Sequence, residues 1–241
     1  MKKHIPNLLT SLALFSGAIA CVMAFEGAYR WVVAWVIAAA VFDFLDGFMA
    51  RLLNAPSLIG KELDSLSDMV SFGMAPSVAV FRYLSDNLKI NADYLSVITP
   101  YIPYFAFLLA IFSALRLAKF NIDERQTSSF MGLPTPANAL FWVSFLYGVS
   151  NLSSENTVQV FVIIILLLIV VFSFLLISEI PMFSLKVKHY GWKGNESRYI
   201  LIISVIAACI FAGISGIAAG IVLYIALSVV ASLRRNKGRA N

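Results

Sequence analysis

Long apolar segments recur along the whole chain, and short polar stretches separate them. An apolar helix of roughly 20 residues crosses the hydrocarbon core of a bilayer, so this pattern predicts seven or eight membrane helices. The segments run over about 7–25, 29–51, 64–84, 97–117, 136–149 and 158–177, and a longer apolar stretch follows at 199–233.

The last stretch, 199–233, is too long for one helix perpendicular to the membrane. Gly213, Gly216 and Gly220 lie inside it and provide places for the chain to turn. The pattern therefore predicts two short helices in this stretch.

The first segment has a second interpretation, as a signal peptide, because Lys2 and Lys3 precede it. The polar residues Asn7 and Thr10 interrupt its start, however, and no convincing cleavage site follows Phe25. We therefore expect it to be a membrane helix.

Composition agrees that the solvent is lipid. Hydrophobic residues make up 60% of the chain and charged residues 13%, and the mean hydropathy is +0.86. This composition excludes an ordinary soluble domain. The expected fold is an all-α, polytopic transmembrane bundle of about eight helices, formed by residues 1–241 as a single integral membrane domain.

The basic residues are distributed asymmetrically between the two sides of the predicted bundle. With eight spans both termini lie on one side, and 15 of the 18 basic residues fall there; only Arg30, Arg82 and Lys89 fall opposite. Because Lys and Arg concentrate in cytoplasmic loops, both termini and the 46–64 connection are expected at the cytoplasmic face. The net charge of +5 then reflects contact with the membrane surface and gives no support for nucleic-acid binding.

Four aspartates occupy positions that otherwise have the character of a membrane helix. They are Asp43, Asp46, Asp64 and Asp68. A carboxylate within a membrane helix costs roughly 2.5–3.5 kcal/mol on insertion scales, so four of them require a strong cationic partner, and a metal is the natural candidate. We therefore take this cluster to be the active site.

Spacing indicates how the four acids converge. Asp43 and Asp46 are three residues apart and Asp64 and Asp68 four, so each pair shares one face of a helix. The connection between Gly47 and Asp64 is rich in residues that favour turns, which would bring the two helices together. These residues are Asn54, Ala55, Pro56, Ser57 and Gly60.

Carboxylates without histidine or cysteine favour hard divalent cations such as Mg²⁺ or Mn²⁺, which commonly act on phosphates. Arg51 would then bind a diphosphate; its other interpretations are a counter-ion for Asp64 or an anchor at the lipid headgroups. Gly47 and Ala50 would permit close approach of a ligand or, equally well, ordinary packing of a neighbouring helix.

These residues form a spaced motif. It comprises Asp43, two residues, Asp46-Gly47, two residues, Ala50-Arg51, eight residues, Gly60, three residues, Asp64, three residues and Asp68. The motif resembles the signature of the CDP-alcohol phosphatidyltransferase family in every position. The resemblance implies a homodimeric helical bundle with a core of six membrane helices, and two Mg²⁺ or Mn²⁺ ions as cofactors.

The resemblance also implies roles for individual residues. Asp43, Asp46 and Asp64 would bind the metals, and Asp68 would lie at the metal site and act as the base. Gly47, Arg51 and Gly60 would hold the CDP group.

Three further segments resemble the bacterial and archaeal CDP-diacylglycerol–serine phosphatidyltransferases within this family. They are 5–10 (IPNLLT), 116–121 (RLAKFN) and 132–137 (GLPTPA). One departure is Ala13, where many relatives have asparagine. The implied reaction is attack by the L-serine hydroxyl on the β-phosphorus of CDP-diacylglycerol, in the plasma membrane of a prokaryote.

The sequence leaves the substrate contacts open. Asn7 and Thr10 either reach the nucleotide or cap the first helix. The serine carboxylate requires a cation or a helix N-terminus. The candidates for that contact are Arg116, Lys119, Asn121 and Lys186. The other interpretation of each is a solvated residue at the positively charged cytoplasmic side.

Two alternative functions follow from the same residues. Another acceptor, glycerol 3-phosphate or an inositol phosphate, would demand a strongly basic pocket, and the 132–137 segment argues against it. An ion-coupled transporter also uses acids inside the membrane, but its acids would be spread through the bilayer and not gathered at one edge.

Overall fold

Helices form nearly all of the chain in the computed structural model, which describes residues 4–54, 57–89, 97–122, 130–182 and 196–237. The α-helices in these ranges are α1 (His4–Phe25), α2 (Tyr29–Leu52), α3 (Leu58–Asp68), α4 (Ala75–Asn87), α5 (Leu108–Ile122), α6 (Thr135–Val149), α7 (Glu155–Ile177), α8 (Glu196–Ala212) and α9 (Gly216–Lys237). Two short strands, β1 (Phe130–Met131) and β2 (Pro181–Met182), pair antiparallel.

Within the described ranges, five helical segments are long and apolar enough to cross a membrane. The all-α, polytopic class is therefore confirmed. The number of seven or eight membrane spans stays a prediction. Residues 58–87 and α6 are helical where spans were predicted, but they are shorter or less apolar than the segments that could cross a membrane. The five segments are His4–Phe25, Tyr29–Leu52, Thr99–Ile122, Glu155–Ile177 and Arg198–Ser232.

The prediction of two helices in the last apolar stretch is confirmed. The chain turns at Gly213, which has a φ of +59°, after α8 ends at Ala212. Gly216 and Gly220 lie instead within α9. There Gly220 packs so closely on α8 that a Cβ would lie 2.5 Å from Val205 Cγ2.

The connection between the two aspartate helices is shorter than predicted. α2 continues to Leu52 and α3 begins at Leu58, so Gly60, expected in the turn, lies in the first turn of α3. The helix starts early because the Ser57 hydroxyl accepts a hydrogen bond of 2.9 Å from the Gly60 backbone N–H, which caps the N-terminus.

A π-helical segment, Met69–Met74, follows Asp68 directly and leads into α4. α1 packs closely against this run: Gly17 faces Ser71 without room for a side chain, and the Ser71 hydroxyl donates to the Ala13 carbonyl over 3.1 Å. The Ser67 hydroxyl likewise donates to the Thr10 carbonyl over 3.4 Å. These contacts place the start of α1 beside the aspartates.

The start of α6 is fixed against the end of α7. Gly132 has a φ of +74°, and its N–H donates to the Ile180 carbonyl over 3.0 Å, while the Leu133 N–H donates to the Leu175 carbonyl over 2.9 Å. Deeper in the bundle Phe141 stacks on Phe172 with ring centroids 4.1 Å apart. Thr135, the first residue of α6, is thereby held in a fixed place.

Candidate active site

Three of the four aspartates meet between α2 and α3. Asp43, Asp64 and Asp68 each offer a carboxylate oxygen, and these three oxygens lie within 4.8 Å of one another. The Asp43 carboxyl is within hydrogen-bonding reach of both Asp64 and Asp68. The predicted convergence of the two helical pairs is therefore observed for these three acids.

Asp46 is held separately by α1. Its side chain is buried, and Oδ2 accepts a hydrogen bond of 2.5 Å from the Thr10 hydroxyl. The same hydroxyl lies 3.0 Å from the Pro6 carbonyl oxygen, but its single proton favours the shorter contact to the carboxylate. Thr10 therefore fixes the orientation of Asp46.

A cavity of about 240 Å³ opens beside these acids. Four of the five residues predicted to bind CDP line it: Asn7, Thr10, Gly47 and Gly60. Arg51, the fifth, is exposed and does not line the cavity. The other lining residues are Pro6, Asp46, Ala50, Ser57, Lys61 and Asp64.

The two glycines of the cavity differ in their surroundings. A Cβ on Gly60 would lie 2.8 Å from Ser57 Oγ and 3.0 Å from Asn7 Oδ1, so a side chain there would push on the cap of α3 and on Asn7 of α1. A Cβ on Gly47 would meet no atom of the described residues within 4 Å. Gly47 therefore leaves space open at the cavity wall.

Lys61 was missed as a site residue in the sequence. It was counted only among the basic residues of the expected cytoplasmic side, yet it lines the cavity, and its Nζ donates to the Asn121 carbonyl over 3.4 Å. The sequence feature that could have indicated this role is the spacing, since Lys61 precedes Asp64 by three residues on α3.

Arg116 is a buried cation whose charge acts on one of the aspartates. It is 7% exposed, it interacts electrostatically with Asp68, and its Nη1 donates to the Thr135 hydroxyl over 3.2 Å. Its guanidinium also lies over the Phe120 ring, 5.6 Å from the centroid. α5 and α6 together thus hold a buried positive charge that acts on Asp68.

The other residues predicted to bind serine are engaged elsewhere. Lys119 Nζ lies 3.5 Å from Glu179 Oε1 in an exposed ion pair. Asn121 Nδ2 donates to Ser65 Oγ over 2.8 Å and links α5 to α3. Lys186 lies outside the described residues. Among the described candidates, Arg116 is therefore the buried one, and its charge acts on an aspartate of the cluster.

The donor set of the three-aspartate cluster fits a hard divalent cation. Its ligand atoms are all carboxylate oxygens, the type that Mg²⁺ and Mn²⁺ prefer. Asp68 Oδ1 is buried without a hydrogen-bond partner among the described residues, an arrangement that a cation would relieve. Three carboxylates this close repel one another, and positive charge would offset that repulsion.

Comparison with known proteins agrees with this geometry. The family model for CDP-alcohol phosphatidyltransferase matches residues 3–232. The chain belongs to the CDP-alcohol phosphatidyltransferase family. The motif that carried the resemblance in the sequence is the same one that supplies the aspartates and half of the residues that line the cavity.

Three relatives are similar over part of the chain. A CDP-diacylglycerol–serine O-phosphatidyltransferase of Helicobacter pylori is 38% identical over 57% of this chain and 55% of its own length. An archaetidylserine synthase of Methanothermobacter thermautotrophicus is 32% identical over 58% and 57%. A CDP-diacylglycerol–serine O-phosphatidyltransferase of Methanocaldococcus jannaschii is 39% identical over 44% and 45%. The chain thus spans about half the length of the curated relatives it matches.

Proposed function

We propose that the protein transfers the phosphatidyl group of CDP-diacylglycerol to the hydroxyl of L-serine, giving phosphatidylserine and CMP. The observation that carries the proposal is the cluster of Asp43, Asp64 and Asp68 beside a cavity, together with buried Arg116, whose charge acts on Asp68. Relatives named for this reaction, at 37% and 38% identity, support serine as the acceptor.

The CDP group occupies the cavity between α1, α2 and α3. Asn7 and Thr10 contact it from α1, Gly47 leaves room for it, and Gly60 allows α1 and α3 to approach each other around it. Arg51 binds the diphosphate from the exposed end of α2, although its role as an anchor at the headgroups remains the alternative. Lys61 adds a second positive charge at the cavity wall.

Asp43, Asp46, Asp64 and Asp68 hold two divalent ions, Mg²⁺ or Mn²⁺. When bound, such ions supply positive charge that offsets the charge of the diphosphate and of the leaving group. Asp46 lines the cavity, and its orientation in this set depends on the hydrogen bond from Thr10.

The transfer itself uses Asp68 as a base. Asp68 accepts the proton of the serine hydroxyl while the hydroxyl oxygen forms a bond to the β-phosphorus. The bond from that phosphorus to the bridging oxygen breaks, and its electron pair leaves with CMP. Arg116 holds the serine carboxylate. This assignment is preferred over Lys119, Asn121 and Lys186 because Arg116 is buried and its charge acts on Asp68.

The wider setting is proposed from charge and resemblance. Residues 1–241 form one integral membrane domain, which assembles as a homodimer in the plasma membrane of a prokaryote. Both termini and the active site face the cytoplasm, as the distribution of Lys and Arg favours. The lipid tails enter between helices from the bilayer.

The test is CMP release from CDP-diacylglycerol by the purified protein in detergent with Mg²⁺ or Mn²⁺. L-serine, glycerol 3-phosphate and inositol phosphate are offered separately, and Asp68→Asn is the control. Serine-dependent release that the control lacks is the expected result. Release with another acceptor alone would retain the family chemistry and reject serine, and no release with any acceptor or metal would favour a transporter.

A further inference from the structure

Several buried polar atoms between α5 and α6 have no partner. Asn138 is fully buried, and neither its Oδ1 nor its Nδ2 has a hydrogen bond among the described residues. The same is true of Ser113 Oγ and Arg116 Nε. Burying such atoms unpaired costs free energy, so this part of the bundle calls for a ligand.

These atoms belong to one helix interface. Ser113 and Arg116 are one turn apart on α5, and Thr135 and Asn138 are one turn apart on α6, so each pair shares a helix face. The Arg116–Thr135 hydrogen bond marks where the two faces meet. Ser113 and Asn138 therefore extend the same interface one turn further into the bundle.

The interface adjoins the catalytic aspartate. Ser113 packs on the π-helical segment that follows Asp68, since a Cβ on Gly73 would lie 3.3 Å from Ser113 Cβ. The charge of Arg116 also acts on Asp68, whose buried Oδ1 has no hydrogen-bond partner among the described residues. A molecule that pairs with Asn138 and Arg116 would thus present its remaining polar group close to Asp68.

The unpartnered atoms match the charges of an amino-acid alcohol. Arg116 offers donors to a carboxylate, and the Asn138 Oδ1 accepts a hydrogen bond from an ammonium. In serine the carboxylate and the ammonium are attached to the carbon next to the one that carries the hydroxyl. The residues that bind these charged groups must therefore lie close to the base that accepts the hydroxyl proton. A phosphate-bearing acceptor would need more cations than Arg116, the single cation of this four-residue set.

We propose that Ser113, Arg116, Thr135 and Asn138 form the acceptor subsite, and that Asn138 determines its specificity for a zwitterionic amino-acid alcohol. The subsite rests on the proposed serine transfer. Arg116 binds the carboxylate, Thr135 orients Arg116, Asn138 accepts from the ammonium, and the Ser113 hydroxyl lines the inner end.

The test measures KM for L-serine and for CDP-diacylglycerol separately in Asn138→Leu, which removes both polar atoms and keeps the size of the side chain. We expect the KM for serine to rise about tenfold or more, the loss typical of a hydrogen bond to a charged group. The KM for CDP-diacylglycerol should stay within about twofold. The preference for serine over 3-hydroxypropanoate, which lacks the ammonium, should shrink.

Ser144→Ala is the matched control. Ser144 is fully buried on the same helix, but its hydroxyl donates to the Leu140 carbonyl over 2.5 Å and so needs no ligand. Its KM for serine should not change. If Asn138→Leu does not fold, Asn138→Ala and Ser113→Ala carry the same measurement.

Two failures are distinguishable. In the first, the unmodified protein releases CMP with serine, but the KM for serine is unchanged in the Asn138 variants. That result would overturn the subsite alone and would mean that a buried water pairs with the polar atoms. An unmodified protein without serine-dependent release would overturn the proposed function and the subsite with it.

Discussion

The Thr10 hydroxyl donates a hydrogen bond of 2.5 Å to Asp46 Oδ2 and so joins α1 to α2 at the cavity. The acceptor is a buried carboxylate. One of the four aspartates of the motif is therefore oriented by Thr10, which lies outside the motif. Contacts of this kind, between elements distant in sequence, determine most of what the site can do.

Thr10→Val should lower activity because it removes the donor and keeps the shape of the side chain. The loss of a hydrogen bond to a charged group predicts about tenfold lower kcat/KM for CDP-diacylglycerol, measured by CMP release. Thr10→Ser, which retains the hydroxyl, should stay close to the unmodified protein. Equal loss in both variants would mean that packing, and not the hydrogen bond, is what Thr10 contributes.

Removal of divalent metal should abolish CMP release. Treatment with EDTA removes the charge that the three clustered carboxylates require, and Mg²⁺ or Mn²⁺ added in excess should restore the rate. Asp43→Asn and Asp64→Asn should each lose activity by about a hundredfold or more, since each removes a ligand.

Asp86→Asn is the control for these substitutions. Asp86 pairs with Arg82 over 2.8 Å in a half-exposed contact away from the cluster, and exposed pairs of this type contribute little. Its activity should be unchanged. Full activity in EDTA would contradict the metal assignment.

Gly47→Ala should affect substrate binding without affecting the fold. A Cβ there meets no described atom within 4 Å, but it projects at the wall of the cavity. We expect an unchanged melting temperature in detergent and a KM for CDP-diacylglycerol raised several-fold. Gly60→Ala should instead lower the melting temperature, because its Cβ would lie 2.8 Å from Ser57 Oγ.

The reverse pattern, a destabilised Gly47→Ala with normal KM, would show that the open space serves helix packing. That was the alternative interpretation of this glycine in the sequence.

Gly132→Ala should destabilise the protein by about 2 kcal/mol or more. Its φ of +74° is costly for alanine, and a Cβ would lie 2.6 Å from the Leu176 carbonyl oxygen. Gly213→Ala is matched to it, because Gly213 has a φ of +59° but a Cβ there would meet no atom of the described residues within 4 Å.

Thermal unfolding in detergent should therefore show a larger loss for Gly132→Ala than for Gly213→Ala. Because Gly132 fixes the start of α6, its variant should also raise the KM for serine through Thr135 and Arg116. Equal losses of stability would indicate that backbone strain outweighs the contact with α7.

The membrane class and the convergence of acids were predictable from local properties of the chain. Apolar length depends only on the sequence of one segment, and a spacing of three or four residues places two aspartates on one face of any helix. For the same reason the chain turn at Gly213 and the positions of Gly47 and Gly60 near the acids were within reach of the sequence.

Details of the connection were not predictable. Gly60 is a turn residue by propensity, but the hydrogen bond from its N–H to Ser57 starts α3 early and places Gly60 within the helix. Local preference and capping compete there, and the cap prevails because it satisfies an N–H that would otherwise lack a partner.

The sequence by itself determined that four carboxylates lie on two helices at one end of a membrane bundle. The tertiary structure alone decided that Asp43, Asp64 and Asp68 meet, that Thr10 holds Asp46, and that Arg116 is buried while Lys119 is paired at the surface. The physical reason is that these pairings join α1, α5 and α6 to α2 and α3, and the packing of distant helices leaves no periodic signal in any one of them.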